Sequence, residues 1–120
     1  EEQAFNRDEM IEVLKQVSLG HLQDCLDQEQ DWTRILSLGE QQRLAFARLL
    51  LHKPKVAFLD EATASMDEGL EDNMYRLLKE CLPHTTVISV GHRSTLQAFH
   101  QQQLMILGNG EWQFTDRNLV

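Results

Sequence analysis

Residues 56–61 read Val-Ala-Phe-Leu-Asp-Glu, an unbroken apolar run of strand length that ends in two carboxylates. A run without polar alternation belongs to a parallel strand buried on both faces. Pro54 stands just before it and stops any preceding helix. Beyond it, Leu70, Met74, Leu77, Leu78 and Cys81 recur on one helical stripe that ends before Pro83. Thr86-Val87-Ile88-Ser89-Val90 then reads as a second buried strand. Strand, helix and strand in that order make a βαβ unit, whose right-handed crossover leaves the strands parallel. The fold class is therefore α/β. Asp60 and Glu61 fall at the carboxyl end of a strand, where open parallel sheets bind ligands.

The flanking segments divide into shorter pieces. Asp8 reads as the N-cap of a helix over 8–17, with Met10, Ile11, Leu14 and Val17 at helical spacing. Ser18 reads as the cap of a second helix over about 19–28, with Leu19, Leu22, Cys25 and Leu26 on one face. Residues 29–36 are polar and irregular, with Trp32 tucked against a neighbour. Ser37-Leu38-Gly39-Glu40 fits the S-x-x-E capping box and starts a third helix near Gly39. Its expected buried face is Leu44, Ala47, Leu50 and Leu51. Ser65-Met66-Asp67-Glu68 offers a second capping box. After the βαβ unit come a short helix over about 94–100 and strands at 104–107 and 112–115. The latter are joined through Asn109-Gly110, the strongest two-residue hairpin signal.

A chain of 120 residues is one domain or part of one. The net charge of −8 argues against a nucleic-acid or anionic-membrane surface, since phosphate backbones need basic patches. It leaves local nucleotide binding open. Cys25 and Cys81 have no metal or redox spacing and read as reduced core residues, which fits a reducing compartment. No apolar run is long enough to span a bilayer. The first residues, Glu-Glu-Gln-Ala-Phe-Asn-Arg, carry no signal-peptide pattern.

Three places carry chemistry. Asp60 suits Mg²⁺, which keeps an oxygen shell and is reached largely through water. Glu61 suits an attacking water, taking its proton or holding it in line. Alone, two acids at a strand end can merely cap a turn, and it is the neighbouring motifs that weigh against this. Ser37 and Gly39 open a helix whose N-terminus offers free N–H groups and a partial positive charge to a phosphate. His92 follows the second strand through Gly91, in a position that mirrors Asp60 on a neighbouring strand. Its imidazole there suits a γ-phosphate and its water. His21, His52, His84 and His100 have no such setting and no metal-ligand spacing.

Residues 35–67 together resemble the signature, Walker B and D-loop block of ABC ATPases. Leu36 to Glu40 match the signature loop, and Gln42 and Arg43 its continuation. Asp60 and Glu61 match the end of Walker B, Ser65-Met66-Asp67 the D-loop, and His92 the switch histidine. Asp31-Trp32-Thr33-Arg34, Ser89-Val90-Gly91-His92-Arg93-Ser94 and Gly108-Asn109-Gly110-Glu111-Trp112 are similar to subfamily D exporters. That group holds the peroxisomal acyl-CoA and lysosomal cobalamin transporters and their bacterial relatives. The resemblance implies a partial P-loop NTPase core of the RecA-like ABC type over 39–120, preceded over 1–38 by the later part of the helical subdomain. It implies ATP and Mg²⁺ as ligands and a second nucleotide-binding domain as head-to-tail partner. A transmembrane domain fused upstream, on whose cytoplasmic side this domain works, completes the assembly. Ser37, Leu38, Gly39, Glu40 and Gln42 would face the ATP held by the partner. Asp60 (metal), Glu61 and His92 (catalytic) would serve this domain's own ATP, and Asp67 would cross the interface.

Some residues depart from the family pattern. Leu38 stands where most members have Gly, Glu40 where many have Gln, and Met66 replaces a smaller D-loop residue. No G-x-x-x-x-G-K-[ST] phosphate loop occurs, and none of the six glycines precedes a lysine. In this class the phosphate-loop strand lies between 86–90 and 104–107, with 56–59 on the other side of 86–90. Without it, either 104–107 slides in beside 86–90 or two chains associate through the open edge. Two other readings stand beside the exporter: a soluble ABC ATPase of the DNA-repair or chromosome-organising kind, and a non-catalytic interaction module. The first enters its signature from a long coiled coil, and residues 8–36 hold no sustained heptad. The phosphate loop supplies most of the nucleotide affinity. The purified 120-residue chain is therefore expected to show no steady ATP turnover in a phosphate-release assay. Turnover that Glu61→Gln abolishes would overturn this.

Overall fold

The first helix, α1 (Arg7–Gln16), opens on Asn6, whose side-chain oxygen accepts from the Asp8 N–H at 2.8 Å. Asp8 is thus inside the first turn, where a carboxylate still favours the helix dipole. The helix ends with Ser18 in the left-handed region (φ 63°), and the Leu19 N–H reaches back to the Leu14 carbonyl at 2.7 Å. This is a Schellman-type stop, sealed by the complete burial of Leu19. Ser18 therefore closes α1 and caps nothing after it. The expected helix over 19–28 is a 3₁₀ turn at Gly20–Cys25. The computed structural model describes residues 5–117. Residues 1–4 of the N-terminal segment without a leader pattern, and the outer ends of the expected divisions 1–38 and 39–120, lie outside that range.

The segment read as irregular contains one helical turn, α2 (Trp32–Ile35), with Trp32 half-buried. α3 (Leu38–His52) begins at the expected capping box and ends at Lys53 in the left-handed region, just before Pro54. Its buried residues are Phe46, Ala47 and Leu50, while Leu44 and Leu51 are half-buried. β1 (Val56–Asp60) leads through a turn into α4 (Glu68–Cys81), which buries Glu71, Met74, Tyr75 and Leu78. Asp67, not Ser65, caps α4, accepting from the Leu70 N–H at 2.8 Å. Cys81, at the last position of α4, is exposed, and Cys25 is half-buried, so neither is the core residue its stripe suggested.

β2 (Thr86–Val90) pairs with β1 in parallel from Val56↔Thr86 to Asp60↔Val90, as the crossover requires. The chain is a mixed α/β fold, with this parallel pair and a later antiparallel hairpin. Ala57 and Leu59 point inward and are buried. Tyr75 of α4 meets Ser89 on the same side through a 2.8 Å hydrogen bond between hydroxyls. Burial pushes the Tyr75 hydroxyl pKa up, against the Ser89 bond and with help from Glu71. The opposite face differs from expectation. Val56, Phe58, Ile88 and Val90 all stand exposed, Phe58 by 75%. The helices cover one face of this sheet, so the strands are buried on one side only.

Residues up to Val90 form one compact unit and those from Gly91 another. The second unit holds a 3₁₀ turn at Ser94–Phe99 and the hairpin of β3 (Gln102–Gly108) and β4 (Glu111–Asp116). Asn109 (φ 53°) and Gly110 (φ 77°) make its tight loop, as two consecutive positive φ values demand. A register shift between Ile106 and Gly108 precedes the loop. β3 pairs with β4 in a two-stranded sheet of its own. No described helix is long and apolar enough to cross a membrane.

An exposed apolar strand face and an open strand edge favour self-association. Sedimentation of the isolated chain is expected to show dimers or larger species. Ile88→Lys, which places a charge on that face, is expected to shift the sample toward monomer. A monodisperse wild-type monomer at micromolar concentration contradicts the expectation.

Candidate functional site

β1 delivers Asp60 to the end of the parallel ladder, opposite Val90. The ladder runs one residue further, because the Glu61 N–H donates to the Val90 carbonyl at 2.8 Å. Glu61 takes φ 50°, a left-handed conformation uncommon for a residue with a side chain. Both carboxylates are exposed. The chain then folds tightly, with Ala64 N–H on the Glu61 carbonyl at 3.2 Å and Met66 N–H on the Thr63 carbonyl at 3.0 Å.

Neighbouring elements hold this turn. Met66 is buried. Thr63 is also buried, and its hydroxyl donates to the carboxylate of Glu71, which is fully buried in α4. From α3, Gln42 uses both ends of its carboxamide. Its Nε2 donates to the Glu61 carbonyl at 3.3 Å, and its Oε1 accepts from the Ser65 N–H at 3.0 Å. Gly39 lies against the same turn, since a Cβ there would stand 3.2 Å from the Ser65 carbonyl oxygen. Gly39 thus allows close approach of the turn to α3, a reason beyond clearing space for a phosphate.

The start of α3 is a complete capping box. Ser37 N–H donates to Glu40 Oε1 at 2.9 Å, and Glu40 N–H to Ser37 Oγ at 3.1 Å. The Leu38 and Gly39 N–H groups are at the first two helical positions, where no intrahelical acceptor exists. Leu38 is 68% exposed. His21 Nε2 approaches Glu40 Oε2 at 3.5 Å. Arg43 Nη1 donates to the Ser18 carbonyl at 3.1 Å, a cation on the carbonyl end of α1. The backbone and side-chain bonds with Ser37 hold the Glu40 carboxyl below its ordinary range, and the charges of His21 and Arg43 act in the same direction.

Ser37, Leu38, Gly39, Glu40, Gln42, Asp60, Glu61 and Asp67 thus all lie in the first unit. Gln42 and Gly39 join the start of α3 to the turn after Glu61. Asp67 turns its carboxylate to the α4 cap. His92 is exposed and belongs to the second unit, after Gly91, whose missing side chain leaves room for Leu96. Thr63 and Glu71 were missed from the sequence. A carboxylate between Leu70 and Met74 on an inward stripe was the available signal, because a buried charge needs a partner.

The family model described as ABC transporter matches residues 2–64, which take in the α3 start and the Asp60-Glu61 pair. The chain belongs to the ABC transporter family. It is 72% identical over 103 residues to a Haemophilus influenzae protein named as an uncharacterized ABC transporter ATP-binding protein, covering 86% of this chain and 17% of the relative. It is 48% identical to the chloroplastic ABC transporter D family member 2 of Arabidopsis thaliana, over 82% of this chain and 14% of that protein. It is 47% identical to the human lysosomal cobalamin transporter, over 73% of this chain and 14% of that protein. The chain therefore spans less than a fifth of the curated ABC relatives it matches. These relatives are transporters of subfamily D and a bacterial relative, and they lend no support to a DNA-repair or chromosome-organising reading.

The lowered Glu40 pKa has a pH consequence. A carboxyl group with a depressed folded pKa contributes stability above its ordinary value of 4.5 and loses it as pH falls through the folded value. Glu40→Gln keeps an acceptor for the Ser37 N–H and loses the charge. Its unfolding midpoint is expected to lie below wild type at pH 7, with the gap closing under pH 4.5. A gap that is constant with pH rules out this role for the charge.

Proposed function

We propose that this chain supplies the signature helix, the Walker B carboxylates and the switch histidine of an ABC exporter's ATP-binding domain. In that role it couples ATP binding and hydrolysis to export across a membrane. The observation that carries the reading is the junction of α3 with the turn after β1. There a helix N-terminus with two free N–H groups is fastened to a carboxylate pair at a parallel strand end. The residues present fit a nucleotide and Mg²⁺. Asp60 is an exposed carboxylate at the strand end, and one carboxylate plus phosphate oxygens is the usual protein share of a Mg²⁺ shell. The metal would be held by Asp60 together with the phosphate oxygens of the nucleotide.

Bound ATP supplies the phosphoryl group that is transferred. Glu61 takes the proton of the attacking water or holds that water in line, and its exposure leaves the carboxylate reachable. His92 donates toward the γ-phosphate. Ser37, Leu38 and Gly39 present the α3 N-terminus to the ATP of a partner domain, with Glu40 turned back into the capping box. Asp67 borders the dimer interface. Residues 1–38 dock on a transmembrane domain on the cytoplasmic side, and 39–120 belong to the catalytic core. ATP closes the pair of domains and hydrolysis reopens it.

In the complete transporter, Glu61→Gln is expected to cut turnover by at least about 10²-fold, the low end for a general base. ATP binding, read with a fluorescent nucleotide, should survive. Near-normal turnover would remove Glu61 from the mechanism, and loss of binding would assign it a structural role.

A further inference from the structure

The proposed reading gives two sites to one chain: the α3 N-terminus faces one nucleotide, and Glu61 another. The structure shows what lies between them. Gln42, one turn into α3, is half-buried, and both of its polar side-chain atoms are engaged by the Glu61–Ser65 turn. One bond falls on the carbonyl of Glu61 itself. The other falls on the Ser65 N–H, whose own carbonyl backs Gly39. Both ends of the carboxamide are thereby directed at the turn.

We infer that Gln42 is a positioning residue for Glu61, tying the signature helix to the catalytic carboxylate. The reason is conformational. Glu61 sits at φ 50°, and a side-chain-bearing residue stays there only when its surroundings over-determine it. On one side the Val90 carbonyl fixes its N–H. On the other, the Gln42 Nε2 fixes its carbonyl. The Ala64 N–H reaches the same carbonyl at 3.2 Å, so loss of the Gln42 bond weakens the hold on the peptide after Glu61 and loosens the carboxylate that it positions. A displacement of about 1 Å at a catalytic group costs up to about 10²-fold in rate. The inference rests on the proposed role of Glu61, but its structural half does not.

The test uses the complete transporter with three variants. Gln42→Met keeps the volume and loses both bonds. Gln42→Glu keeps an acceptor for the Ser65 N–H and loses the donor to Glu61. Gln42→Met is combined with Glu61→Gln as the double variant. Hydrogen exchange of the peptide containing Ser65 should rise about tenfold in Gln42→Met, the worth of one net hydrogen bond, and stay native-like in Gln42→Glu. Both single variants should lower kcat by about tenfold or more and leave the KM for ATP within about twofold. The double variant should be no slower than Glu61→Gln alone, since Gln42 acts through Glu61. A raised KM with unchanged kcat would make Gln42 a nucleotide contact and overturn the inference. Unchanged Ser65 exchange in Gln42→Met would also overturn it. If Glu61→Gln itself turns over normally, the proposed catalytic role fails, and the exchange result still decides whether Gln42 holds the turn.

Discussion

The geometry beyond Leu59 depends on a backbone hydrogen bond that carries the parallel ladder one residue past its strand. The Glu61 N–H on the Val90 carbonyl extends the β1–β2 pairing into what would otherwise be loop. A strand continuing straight would carry Glu61 away along the sheet direction. Turning at φ 50° instead keeps Glu61 beside β2 and sends the chain back over α3. A residue in that region costs of order 1–3 kcal/mol, so the turn persists through the contacts around it. Those contacts are specific: the Thr63–Glu71 bond in the interior, the burial of Met66, and the Gln42 carboxamide on the α3 side.

The same unit is packed on one face and bare on the other. Ala57 and Leu59 are buried on the helical side, while Phe58, Val56, Ile88 and Val90 face outward. Parallel strands of this composition are usually covered on both faces. An apolar face of this kind marks contact with further protein rather than with water. This explains why the sequence reads as a doubly buried strand while the chain itself buries only one side. The composition of β1 reports the environment it is built for.

The βαβ unit was legible because its signals are local and mutually consistent. Pro54, the apolar run, the helical stripe and the second run each name one element, and only one topology joins them. The α3 capping box and the Asn109-Gly110 turn were legible for the same reason, since partner atoms lie within a few residues. The misreadings arose where one residue type serves two ends of a helix. Ser18 fits an N-cap by chemistry, yet its place after Val17 and before a buried Leu19 makes it a C-terminal stop. Periodicity also put Cys81 in the core, although the stripe ends with the helix. Of the site, the positions of Asp60, Glu61 and the α3 start followed from spacing. The Gln42 bridge did not, because its partners lie far along the chain, and nothing in a glutamine announces which turn it will reach.

Glu40 shows how such an arrangement tolerates a charge in an awkward place. A carboxylate near a site proposed for phosphate opposes the ligand, whereas the same carboxylate at a helix start favours the helix. The capping box resolves the conflict by geometry. Its bond to the Ser37 N–H turns Oε1 backward along the chain, and His21 lies beside Oε2. Arg43, bound to the end of α1, adds positive charge from the same helix. The Leu38 and Gly39 N–H groups stand at the first two helical positions, without an intrahelical acceptor. The flank of α3 is at the same time fastened to the turn that carries Glu61. The two regions of the chain to which the proposed function assigns separate nucleotides are thus joined by one doubly bonded side chain.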